Sequence, residues 1–182
     1  MQPRFTPLSL PDLICIEPPR VEDARGWFSE TFRPDLFRAN VAEVDFVQEN
    51  RSMSVAPGTV RGLHFQSDPH AQGKVVSCVA GALWDVAVDL RPGSPTYGRW
   101  DGMRLDADRG TMLWVPPGFA HGFCTLEPRT IISYRVTAPW NRGAERGIAW
   151  DDPTLAIDWP PLADPATLSE KDTTLPAFEA PK

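Results

Sequence analysis

Apolar and polar positions along this chain alternate in short stretches, most clearly over Leu83 to Leu90. There Trp84, Val86, Val88 and Leu90 fall on one face and Asp85, Ala87 and Asp89 on the other. Only a period of two sorts them this way, which predicts a strand. Similar stretches carrying β-branched or aromatic residues predict strands over Leu13 to Glu17, Asp45 to Ser54, Thr59 to Gln66, Lys74 to Val79 and Tyr97 to Leu105, then over Thr111 to Val115, Gly122 to Leu126 and Thr130 to Thr137. Twenty prolines and thirteen glycines divide these segments, as the turns of an antiparallel fold require. Helical patterning is confined to Pro34 to Asn40, where proline is tolerated in the first turn and Leu36 and Phe37 can pack inward. Roughly eight or more short strands with so little helix predict an all-β sandwich or barrel. From Ala138 to Lys182 the chain is rich in Pro, Asp and Trp. Trp140, Trp150 and Trp159 predict extended, irregular structure wrapped on the β core in preference to a disordered tail.

Length and charge narrow the possibilities. With 182 residues, the chain suits a single domain over 1–182 with a full core, so one fold is expected to carry the function. Eighteen basic against 24 acidic residues give a net charge of −6. This argues against a general nucleic-acid or anionic-membrane binder and sends any anionic ligand to a local cationic pocket. Cys15, Cys78 and Cys124 are odd in number, far apart and without CxxC spacing. Neither a disulfide framework nor a zinc cluster is indicated, and reduced cysteines in a cytoplasmic protein are expected. No apolar run approaches a membrane span, and Met1 to Leu10 lacks the pattern of a signal peptide.

The candidate chemistry centres on Val60-Arg61-Gly62-Leu63-His64-Phe65-Gln66, closely followed by Ala71-Gln72-Gly73-Lys74. An imidazole that titrates near neutrality can take an acidic C–H proton, and flanking cations can hold an anion or an enolate oxygen. Arg61 and His64 have opposite parity, so a regular strand would send them to opposite faces. They can serve one pocket only if the strand bends, and Gly62 is the expected β-bulge. Gly110 to His121, with its Trp114-Val115-Pro116-Pro117-Gly118-Phe119-Ala120-His121 run, resembles the second motif of the cupin jelly rolls. The Pro-Pro-Gly turn ends one strand and returns the next, leaving His121 able to face the barrel interior. His64 and His70 offer only a weak beginning of a metal site, with no His-x-His pair and no well-spaced acidic ligand, so no metal is expected.

A narrower resemblance covers nearly the whole chain. Asp23-Ala24-Arg25-Gly26-Trp27-Phe28-Ser29-Glu30, Phe46-Val47-Gln48-Glu49-Asn50, Arg61 to Gln66, Ala71 to Lys74 and Asp85 to Arg91 are all similar to dTDP-4-dehydrorhamnose 3,5-epimerases. So are Ser94 to Gly98, Trp114 to Phe123, Glu145-Arg146-Gly147-Ile148 and Leu168 to Asp172. Several separate blocks in order are far more specific than one motif. The resemblance implies a cupin jelly roll, a homodimer, and a dTDP-4-keto-6-deoxyhexose substrate whose C3 and C5 protons are acidic because each flanks the C4 carbonyl. No cofactor is implied. By family position His64 is the base, Asp172 the carboxylate that orients it, and Tyr134 the proton donor. Lys74 is matched to enolate charge and Arg61 to substrate anchoring. Arg25, Phe28, Glu30, Gln48, Asn50, His121, Glu145 and Lys171 match ligand-contact positions. In Thr137-Ala138-Pro139-Trp140 the chain departs from the family's usual tyrosine pair, and Trp140 takes the position that stacks on thymine. Two other readings stay open on sequence grounds: a monoepimerase acting at C3 or C5 alone, and a sugar-nucleotide binding module without catalysis. Intact His64, Tyr134 and Asp172 weigh against the second.

Overall fold

Short alternating segments become strands, and their two faces are both put to use. The structure is a computed structural model that describes residues 2–179. The strands are β1 (Arg4–Pro7), β2 (Ile14–Glu17), β3 (Arg20–Asp23) and β4 (Gly26–Ser29), then helix α1 (Pro34–Asn40), β5 (Gln48–Ser54), β6 (Val60–Gln66) and β7 (Lys74–Ala80). They continue with β8 (Ala82–Asp89), β9 (Trp100–Asp106), β10 (Met112–Val115), β11 (Phe119–Thr125), β12 (Thr130–Val136) and β13 (Glu145–Gly147). A six-stranded sheet has the order β1-β2-β10-β7-β12-β5 and faces a five-stranded sheet of order β13-β6-β11-β8-β9, while β3 and β4 form a separate hairpin. From β5 to β8, and again from β9 to β13, each strand passes to the sheet opposite its predecessor. This is the antiparallel sandwich that the strand pattern and turns predict, with the jelly-roll topology that the resemblance implies.

Helix α1 has the expected bounds, with proline in its first turn and Phe37 buried. Phe37, Phe46 and Trp114 meet edge to face at 5.1–6.1 Å and cover the outer side of β7 and β10. Expected strands differ mainly at their ends. The strand at Gln48 starts three residues later than predicted, and β9 starts at Trp100 because Ser94 and Thr96 hydrogen-bond to Asp89 and hold a loop. β11 begins at Phe119 instead of Gly122, directly after the Pro116-Pro117-Gly118 turn, where Gly118 has φ +86°. β1, β3, β4 and β13 were not expected, since segments of only three or four residues carry no readable alternation.

Inside the barrel, Leu10, Leu13, Val76, Leu83, Leu105, Leu113, Phe119 and Phe123 fill one part of the space between the sheets. Ile148, Leu155, Ile157, Trp159 and Phe178 of the C-terminal segment pack on Leu63, Val88 and Ala120 from outside. Ile148 and Leu155 are buried and the other three partly so; full burial of a side chain of this size contributes about 1.5–3 kcal/mol, and these contacts hold the segment to the barrel. The wrapped arrangement is therefore as predicted, and it also settles which face of β8 points in. Leu83 and Ala87 belong to the interior cluster and Val88 to the outer one, so Asp85 and Asp89 are the residues on the inner face.

Candidate active site

Gly62 decides the geometry of the site. In the pairing of β6 with β11, His121 stands opposite His64 and Phe123 opposite Arg61, so two residues of β6 face the single Gly122. That is the expected bulge, and it restores Arg61 and His64 to one face. Gly62 has φ +129°, and a Cβ there would lie 2.6 Å from the Gly122 Cα and 3.0 Å from the His121 carbonyl oxygen. No other residue fits this approach. Leu63 turns to the outer cluster, while Arg61 and His64 line a cavity of about 490 Å³ between the sheets. Its size suits a small-molecule ligand.

His64 comes from β6, and its Nε2 lies 2.6 Å from Asp172 Oδ1, a residue 108 positions later that is almost fully buried. The C-terminal segment reaches this point through two short 3-10 turns, Pro165–Thr167 and Asp172–Thr174. Burial by itself would raise the Asp172 carboxyl, but its hydrogen bond to His64, the His64 charge, Ser169 and the Gly62 backbone hold it below its ordinary value. An ionised Asp172 accepts from Nε2–H, which leaves the lone pair of Nδ1 as the basic position of the ring. His64 Nδ1 makes no hydrogen bond to any described residue.

Lys74 and Tyr134 enter from the facing sheet, on β7 and β12. Burial pushes the Lys74 ammonium down to about 8, with Asp85 and Glu145 opposing the shift. Near neutrality Lys74 therefore remains mostly charged although it is buried. Burial also raises the Tyr134 phenol, against the pull of Arg61, so the phenol keeps its proton. An imidazole on one sheet thus faces a phenol and an ammonium on the other.

Around these residues the cavity is lined by Asn50, Arg61, His121, Trp140, Glu145 and Lys171. Lys171 Nζ is 2.5 Å from Glu145 Oε1, and Arg61 donates to Ser54 Oγ and the Met53 carbonyl. Gln48 does not line the cavity; it donates to Asn50 Oδ1 at 2.8 Å and accepts from the Trp140 N–H at 3.2 Å, bracing two residues that do. Trp140 is more than half exposed, leaving a face free to stack. His70 lies near Asn141 Nδ2 at 3.2 Å and is not among the cavity residues. Arg25, Phe28 and Glu30 are also absent from the lining. They belong to the β3–β4 hairpin and the residue after it, where Arg25 pairs with Asp23 and Phe28 is 72% exposed.

Sequence reasoning did not nominate Ser52, Gln72, Phe123, Thr167 or Ser169, all of which line the cavity, nor Asp85, which accepts from His121 Nε2 at 2.7 Å. Gln72 and Asp85 stand inside the recognised blocks and carried a signal; Thr167 lies in an irregular segment and carried none. The family model described as dTDP-4-dehydrorhamnose 3,5-epimerase matches residues 7–180. The enzyme of that name from Sinorhizobium fredii is 54% identical over 174 residues, covering 96% of this chain and 89% of its own length. The crystal structure of the Bacillus anthracis enzyme with TDP and PPi bound has a TM-score of 0.92 at 42% identity, covering 97% of this chain and 99% of that one. The Legionella pneumophila epimerase in complex with dTDP-4-keto-L-rhamnose has a TM-score of 0.90 at 38% identity, covering 98% and 100% of the two chains. Likeness of sequence and fold along nearly the entire length, with an imidazole, a phenol and a buried ammonium gathered in one cavity, leads to one conclusion: the chain belongs to the dTDP-4-dehydrorhamnose 3,5-epimerase family.

Proposed function

We propose that this chain inverts C3 and C5 of dTDP-4-dehydro-6-deoxy-D-glucose to give dTDP-4-dehydro-L-rhamnose. The observation that carries the reading is the meeting of His64, backed by Asp172, with Tyr134 and Lys74 from the opposite sheet. A proton next to the C4 ketone is acidic because its conjugate base is an enolate. His64 Nδ1 takes that proton, and Asp172 stabilises the imidazolium that forms. Lys74 offsets the charge on the C4 oxygen. Tyr134 then returns a proton from the other side of the sugar, which inverts the centre; His64 releases its proton to solvent and the Tyr134 phenolate takes one from solvent, and the sequence repeats at the second carbon. Arg61 and Lys171 supply positive charge for the diphosphate, and Trp140 an indole face for the thymine.

The resemblance assigns Arg25, Phe28 and Glu30 to ligand contact, yet within one chain they stand outside the cavity. A two-fold homodimer reconciles the two facts if each hairpin reaches the cavity of the other copy. Exposed Val21, Trp27 and Phe28 give the hairpin an apolar surface suited to such docking.

Solvent exchange tests the chemistry directly. With the 4-keto-6-deoxyglucose nucleotide in heavy water, deuterium is expected at both C3 and C5. Label at one carbon alone would make the chain a monoepimerase, and no label a binding module. Tyr134→Phe should lose net inversion while exchange into recovered substrate continues, because His64 still removes the proton. Inversion at the parental rate would move the acid to another residue.

A further inference from the structure

Besides Asp172, three carboxylates are almost completely withdrawn from solvent: Asp85 and Asp89 at 0% exposure and Asp152 at 3%. Two of them are fully satisfied. Asp89 accepts from the Arg91 backbone and guanidinium and from the hydroxyls of Ser94 and Thr96. Asp152 accepts from the backbone N–H groups of Thr154, Leu155 and Phe178 and so staples the C-terminal segment. Asp85 differs, since Oδ1 accepts from His121 Nε2 at 2.7 Å while Oδ2 is buried with no partner among the described residues. Stability alone gives no reason to keep a bare carboxylate oxygen in a barrel wall, and such departures collect at functional sites.

His121 is the only hydrogen-bond partner of the Asp85 carboxylate among the described residues, and the His121 ring lines the cavity. His121 is also the register partner of His64 across β6 and β11. The two imidazoles are therefore arranged alike, each with Nε2 on a buried carboxylate and Nδ1 without a partner in the described chain. An ionised carboxylate accepts from Nε2–H, so it selects the tautomer in which Nδ1 carries the lone pair.

We infer that Asp85 is a positioning residue: it fixes the orientation and tautomer of His121, so that His121 Nδ1 accepts a hydrogen bond from a ring hydroxyl of the bound hexose. The inference rests on the sugar-nucleotide reading above, which places the hexose beside His64. Holding that hydroxyl fixes the sugar relative to the base without touching the nucleotide.

Asp85→Asn keeps the shape of the side chain, but its amide can either accept from or donate to the ring and no longer selects one tautomer. It should lower kcat/KM for the sugar nucleotide by about tenfold or more, as loss of a ligand-orienting partner does elsewhere, while the dTDP Kd stays within about twofold. In a His121→Asn background the same change should cost less than about twofold, because its route of action is gone. An equal cost in both backgrounds, or a joint fall of dTDP affinity and thermal midpoint, would reduce Asp85 to a packing residue. With three histidines in the chain, the 15N imidazole spectrum of the unmutated protein gives a reading that needs no variant to fold. His121 is expected to be protonated at Nε2 and bare at Nδ1, and a proton on Nδ1 overturns the inference. Should the parent exchange neither C3 nor C5, the proposed reaction fails first. If the parent exchanges both and Asp85→Asn inverts the sugar at the parental rate, only the role of Asp85 fails.

Discussion

The cavity wall and the β3–β4 hairpin carry residues of the same family pattern in opposite physical settings. In the wall, Lys74, His121 and Asp172 are buried between two sheets, and their neighbours change what they can do: Lys74 sits near 8 and Asp172 is held ionised. On the hairpin, Arg25 is paired, among the described residues, with Asp23 alone, and Phe28 faces solvent. Burial in a fixed setting shifts what a titratable group can do, whereas an exposed pair on a two-stranded ribbon is worth little by itself and acquires a task only against another surface. The proposed chemistry belongs to the barrel, and the hairpin is proposed to finish the nucleotide site of a second copy.

The sharpest break of this comparison is His64→Asn. Exchange at both carbons should fall by about a hundred- to ten-thousand-fold, the usual worth of a positioned base, with dTDP binding nearly intact. Near-parental exchange in this variant would remove His64 from the mechanism. Asp172→Asn should cost less, because the imidazole remains but loses its orientation and its counter-charge. Full activity there would show that the C-terminal segment does not serve the site.

Mixing chains tests the hairpin. His64→Asn chains and Phe28→Ala chains, each weakened alone, should regain activity when dissociated and reassociated together. In a hybrid whose hairpins cross, one of the two sites receives both native parts, so about a quarter of all sites in a random mixture are complete. No regain on mixing would place each hairpin with its own cavity or outside function.

The smallest effect is the pH dependence of Lys74, and it has opposite signs for activity and stability. Turnover should decline as the pH rises through about 8, because the ammonium that offsets the enolate is lost. The unfolded chain keeps this proton to its ordinary value of 10.5, so between the two values the unfolded state binds more protons and folding gains stability with rising pH. The gain is on the order of 3 kcal/mol at its limit. Lys74→Met should abolish this rise, which thermal melts of the two proteins across the window would record.

Much of the fold was legible because the alternation of small groups of residues is a local property. Leu83 to Leu90 sorts into two faces on sequence alone, and proline and glycine mark the turns around it. The parity conflict between Arg61 and His64 even located the bulge at Gly62, since only a residue without a Cβ can approach β11 so closely. What periodicity cannot state is which face looks inward. The apolar face of β8 is the outer one, because the C-terminal segment folds over it, and Asp85 is thereby left in the wall behind His121. The bond between His64 and Asp172 likewise spans 108 positions and exists only because irregular chain is held to the barrel by Leu155, Trp159 and their neighbours. Residue types and local spacing determined the strands, the bulge and the candidate groups. Tertiary structure decided their partners, because burial, and with it basicity and charge, depends on which distant segment covers each face.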